Sequence, residues 1–165
     1  MKFYQSIFLL LVAMVIAPSL YSQETNLYHP SENADSAIAV ALKEAKAANK
    51  FVLLKGGGNW CSWCIKFEKF CKEDKSIDSL IEKNFVTYHL NWSKENENKA
   101  IFKKYGYAQR FGFPVFIILD SNGNRIHTQN SEYLEDGKGS YTRIKVIMFF
   151  EMWSPWGLNP KMYGD

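Results

Sequence analysis

Two unbroken apolar runs, Phe51-Val52-Leu53-Leu54 and Val115-Phe116-Ile117-Ile118-Leu119, restrict this chain more than any other feature. A strand with one wet face alternates apolar and polar residues. A run with no polar interruption fits a strand covered on both faces of a sheet. Segments of helical period surround the two runs. Ala37, Ile38, Ala41, Leu42 and Ala45 line one face of a helix expected over 34–49. A second helix opens at Trp60-Cys61 and continues to about Lys72, and a third covers 76–83. Phe85 to Trp92 alternates aromatic and β-branched residues and reads as a strand. A helix over 99–105, stopped by Gly106, precedes the 115–119 strand. The turn at Asp120–Asn124 folds Arg125–Gln129 back as an antiparallel partner. A last helix spans 141–153, with Ile144, Ile147, Met148 and Phe149 at helical spacing. Strands that alternate with helices predict an α/β fold of three layers, α/β/α, around a central mixed sheet.

The ends of the chain read differently from its middle. Met1-Lys2, the apolar run Ile7–Ala17, then Pro18 and a small Ser22 follow the order of a secretory signal peptide over 1–22. An uncleaved anchor competes with this reading, although a membrane span needs about 20 apolar residues. Residues 23–33 are polar and predict a flexible lead-in, 34–153 form one domain, and 154–165 form an irregular tail. The aromatic residues of that tail are expected to pack on the domain. With 165 residues, 47% of them hydrophobic, the chain has enough material for one real core and too little for two. Its net charge of +3 is spread over intermixed Lys and Glu, which argues against nucleic acid as a partner.

Three cysteines, Cys61, Cys64 and Cys71, cannot all pair within one chain. Cys61-Ser62-Trp63-Cys64 stands where a strand and loop give way to a helix. There the helix start offers unpaired N–H groups and a positive partial charge, which stabilise a thiolate on the first cysteine. The thiolate is the attacking species in disulfide exchange. This reading makes Cys61 a nucleophile and Cys64 a resolving thiol one turn deeper. A structural disulfide and half of a metal site are the alternatives. Haem attachment is not, because position 65 is Ile rather than His. Cys71 lies about 10 Å beyond Cys64 along an intact helix, out of reach of a disulfide, and reads as a buried filler. Gly56-Gly57-Gly58 lacks the Lys-Ser/Thr of a phosphate loop and reads as a flexible approach to the helix.

Trp60-Cys61-x-x-Cys64 after an apolar strand, with Phe113-Pro114 some fifty residues later, resembles the thioredoxin superfamily. The stretch Gly58-Asn59-Trp60-Cys61-Ser62-Trp63-Cys64-Ile65-Lys66-Phe67-Glu68 is similar to exported bacterial thioredoxin-like proteins. The resemblance covers about 34–152. It implies a cis bond before Pro114, a substrate cleft made of Trp60, Phe113 and Pro114, and a redox-active Cys61–Cys64 pair. Thioredoxins carry a buried Asp six residues before the first cysteine. Here that position is Lys55, so Lys55 and Glu68 are the candidates for moving protons to and from Cys64.

The expected activity is thiol–disulfide exchange with protein disulfides and dithiols, in the direction of reduction. No cofactor beyond the cysteines is implied. A membrane electron donor would re-reduce the pair, and the expected state is a monomer outside the cytoplasm. The rival from another class is a non-enzymatic polypeptide-binding module with a fixed Cys61–Cys64 disulfide.

Overall fold

The structure is a computed structural model that describes residues 26–164. The signal-peptide reading of 1–22 lies outside the described residues. Five helices and four strands follow in the order α1 (Ala34–Ala48), β1 (Phe51–Gly57), α2 (Ser62–Glu73), α3 (Lys75–Asn84), β2 (Phe85–Asn91), α4 (Lys99–Lys104), β3 (Val115–Leu119), β4 (Arg125–Asn130) and α5 (Arg143–Met152). Short 3-10 turns at Ala108–Phe111, Ser131–Leu134 and Pro160–Met162 complete the set.

The sheet runs β2-β1-β3-β4, with β1 and β2 parallel and the other two pairs antiparallel. Helices cover both faces, which is why β1 and β3 carry no polar alternation. On one face Val52, Leu54, Val115, Ile117 and Leu119 pack against Ile38, Ala41 and Ala45 of α1 and Ile101 and Phe102 of α4. On the other, Leu53, Phe116 and Ile118 meet Phe67 and Cys71 of α2, Ile77 and Ile81 of α3, and Val146, Phe149 and Phe150 of α5. The architecture is thioredoxin-like, α/β/α around a mixed sheet.

Four sequence expectations need correction. The strand expected over 51–54 continues to Gly57, because Gly56 and Gly57 pair with Leu90 and Asn91 on one side and Gly56 with Val115 on the other. The lead-in expected to be flexible is packed where it is described: Tyr28 keeps only 2% of its surface. Helix α5 carries apolar residues on its exposed side as well as its buried one, so its spacing does not single out one stripe. It turns Val146, Phe149 and Phe150 inward and leaves Ile144 and Met148 exposed. The tail is anchored through buried Ser154, whose Oγ donates to Glu151 O and accepts from the Gly157 N–H. Its aromatics do not pack as expected, since Trp156 and Tyr163 stand in solvent.

Candidate redox site

Strand β1 delivers the site. Side chains alternate across a strand, so Leu53, Lys55 and Gly57 share the face that α2 covers. Cys61 is the N-cap of α2, in extended conformation at φ −88° and ψ 99°. Its Sγ accepts the Cys64 N–H at 3.1 Å, and its carbonyl accepts from Cys64 and Ile65. One N–H of the first turn is therefore directed at this sulfur. Cys61 and Cys64 form a disulfide with Cα atoms 5.2 Å apart. Exposure does not distinguish them, at 5% and 4%. The capping hydrogen bond does, because it aims the helix N-terminus at Cys61.

Tyr28, Leu27, Trp63 and Phe113 cover the pair. The lead-in is held down by an asparagine clamp. Asn59 Oδ1 accepts the Tyr28 N–H at 3.0 Å, and Asn59 Nδ2 donates to the Tyr28 carbonyl at 2.9 Å. The side-chain amide of Asn59 thus serves Tyr28 as a neighbouring strand would. A Cβ on Gly57 would stand 2.5 Å from Cys64 Sγ and 2.6 Å from the Tyr28 hydroxyl. Only glycine lets the sulfur, the phenol and the end of β1 meet. Sequence reasoning missed Tyr28, and neither composition nor periodicity marks it.

Trp60 is 61% exposed, yet its indole is fixed. Nε1 donates to the Trp92 carbonyl at 2.7 Å, and the ring stands edge-on to Phe113 with centroids 5.8 Å apart. The Phe113–Pro114 peptide bond is cis. Trp60 and Phe113 therefore border the disulfide, Phe113 from the segment just before β3.

Behind the pair lies a charged cluster. Lys55 Nζ donates to Glu68 Oε2 at 2.7 Å, with only 6% of the lysine side chain exposed. His89, the register partner of Lys55 on β2, lies 3.3 Å from the same oxygen and packs edge-on to the Tyr28 ring. Burial by itself would raise the Glu68 pKa. Hydrogen bonds from His89 and Lys55 and their charges outweigh it and hold the carboxyl at about 2. Glu68 is thus ionised at neutral pH and paired with a buried lysine. Burial also raises the Tyr28 phenol, with the Glu68 charge adding to it, so its hydroxyl keeps its proton. Cys71 is a free, buried thiol on the same helix face, pushed up to about 12 chiefly by burial. Such a thiol is protonated and unreactive. Among the described residues, no three His, Cys, Asp or Glu side chains gather to hold a metal ion.

A family model described as a thioredoxin-like domain matches residues 38–133. Among solved structures, a disulphide isomerase from Xylella fastidiosa Temecula1 aligns at a TM-score of 0.65 and 24% identity, over 74% of this chain and 92% of that one. The C-terminal domain of DsbD from Neisseria meningitidis aligns in its oxidised form at 0.53 and 19% identity, over 73% of this chain and 96% of that one. Its reduced form gives 0.54 and 18%, with the same coverage. At these identities the likeness is one of fold. No curated protein sequence matches the chain.

Proposed function

This chain belongs to the thioredoxin-like domain family, and from that premise we propose that it is an exported thiol–disulfide oxidoreductase that reduces protein disulfides. The capping of α2 by Cys61 supports this most directly, because it puts one sulfur of the pair where a thiolate is stabilised. In the dithiol form the Cys61 thiolate attacks one sulfur of the substrate disulfide. That S–S bond breaks, the leaving sulfur departs as a thiolate and takes a proton from solvent, and a mixed disulfide joins Cys61 to the substrate. Cys64 then loses its proton and attacks Cys61 Sγ, and the second substrate sulfur leaves. Two electrons pass from the dithiol to the substrate, and the Cys61–Cys64 disulfide remains.

Trp60, Phe113 and Pro114 form the substrate cleft in this reading, with the Phe113 backbone pairing to an extended segment as an added strand would. In this reading the Cys64 proton passes to solvent, and the charged cluster of Lys55, Glu68 and His89 behind the pair assists its departure. A membrane electron donor outside the cytoplasm restores the dithiol, and the chain works as a monomer with no cofactor beyond its cysteines. The test is turnover of insulin disulfides by the mature chain with a chemical dithiol supplied. A Cys64→Ser variant should accumulate a mixed disulfide through Cys61. No turnover and no trapped adduct would sink the proposal.

One observation favours a second reading. Both cysteines are almost fully covered, as in a fixed structural disulfide within a polypeptide-binding module. A reduction potential below about −300 mV would support that module. A value between about −270 and −120 mV supports exchange.

A further inference from the structure

A pocket of about 460 Å³ opens beside the redox pair and shares the Trp60 indole with it. Pro30, Asn59, Trp60, Asn91, Trp92 and Lys94 line it, and its exposed lining is mostly apolar. The volume lies in the range of real ligand sites.

Three separate stretches of chain form the walls, and asparagines tie them together. Asn59 clamps the lead-in at Tyr28. Asn96 Nδ2 donates to the Pro30 carbonyl at 3.0 Å and joins the loop after β2 to the same lead-in. Asn91 Nδ2 donates to the Asn96 carbonyl at 2.6 Å, and Asn98 Nδ2 to the Asn91 carbonyl at 2.9 Å. The Trp60 indole is locked to the Trp92 carbonyl, and the Trp92 ring rests edge-on against buried Phe102, 5.1 Å between centroids. A pocket held this way exists before any ligand arrives, so little ordering cost falls on binding. Asn91 adds a chemical preference. It is 1% exposed, and its Oδ1 has no hydrogen-bond partner among the described residues. A buried acceptor without a donor is costly, and because Asn91 lines the pocket, a small shift of its side chain would let an entering N–H or O–H group relieve it.

We propose that this pocket is a recognition subsite for one aromatic side chain of the substrate polypeptide, Trp or Tyr, seated while the substrate's disulfide meets Cys61. The proposal rests on the exchange function proposed above. Two indole walls favour an aromatic ring by edge and face contacts, and the Asn91 acceptor favours a ring that carries a donor. Sharing Trp60 with the cysteine pair makes pocket and sulfur parts of one surface, so the subsite selects among disulfides by the residues that flank them.

The experiment compares disulfide-linked peptides identical except for Gly, Leu, Phe, Tyr or Trp at each position flanking the cysteine. Oxidised glutathione serves as a disulfide without an aromatic neighbour. At one flanking position the Trp and Tyr peptides should exceed the Gly peptide in kcat/KM by about tenfold or more. Trp92→Ala, which removes a wall, and Glu95→Trp, which puts an indole in place of an exposed lining residue and fills the pocket, should each bring that ratio close to one. Versions of the same peptides with Ser in place of Cys, followed by tryptophan fluorescence or calorimetry, report binding without chemistry and should show the same order. Turnover of glutathione with equal rates for all peptides would overturn the subsite and leave exchange standing. Aromatic preference in the Ser peptides with no turnover of any disulfide would uphold the subsite and overturn exchange. Saturation of the pocket by a free indole with no loss of peptide rate would also overturn the proposal.

Discussion

Glu68 is where single-residue chemistry and stability meet. Its carboxylate is shared by Lys55 and His89 between β1, β2 and α2, at the floor of a pocket of about 500 Å³. Glu68→Gln leaves the Lys55 ammonium buried and unpaired, a loss on the order of 2 kcal/mol at neutral pH. The folded-state pKa of Glu68 is depressed from 4.5 to about 2. Its contribution is therefore complete above the unfolded value and disappears as pH falls through the folded one. Urea unfolding of both proteins should show a wide gap near neutrality that closes between about pH 4.5 and pH 2. A gap independent of pH would refute the pairing. Lys55 and Glu68 were both legible in the sequence as positions of interest, one by its offset from Cys61 and the other by its turn of helix. Their contact was not, because it depends on the facing parity of β1 and on how α2 docks. His89 and Tyr28 were invisible for the same reason, since only the assembled sheet and the folded-back lead-in bring them to the sulfurs.

At the scale of elements, the apolar runs and helical stripes gave most of the fold away. The 115–119 strand was read residue for residue, and α1 to α4 and β4 to within a residue or two at each end. The misreadings fell where local chemistry and tertiary pairing disagree. Gly56 and Gly57 look like loop residues, yet both pair with β2 and Gly56 also with β3, and position 57 is glycine because a side chain there would strike the site. The lead-in is polar, yet Asn59 gives its backbone a partner. Asn59→Ala should expose Tyr28 and the disulfide locally. We expect loss of protection at the Tyr28 amide, faster reduction of Cys61–Cys64 by a small dithiol, and a global loss of only about 1–2 kcal/mol. Unchanged reduction kinetics would show that the clamp does not govern access.

For the molecule as a whole, the two cores on either side of the sheet owe nothing to the disulfide. Of the cysteines, only unpaired Cys71 belongs to either. The bond closes a loop of sequence separation 3, whose effect on the unfolded chain is worth about 2 kcal/mol. Reduction should leave far- and near-ultraviolet circular dichroism essentially unchanged and lower the melting temperature by several degrees, about 4–8 °C. Collapse of the near-ultraviolet signal on reduction would mean that the bond is a staple. Tyr28 has a further, practical consequence. Because it lies on the sulfurs, the chain enters its fold at the redox end, and whatever is joined ahead of it starts there. A purification handle, a fluorophore or an immobilising surface close ahead of Tyr28 would crowd the cysteine pair. The same attachment made beyond the Pro160–Met162 turn follows a segment that takes no part in the site.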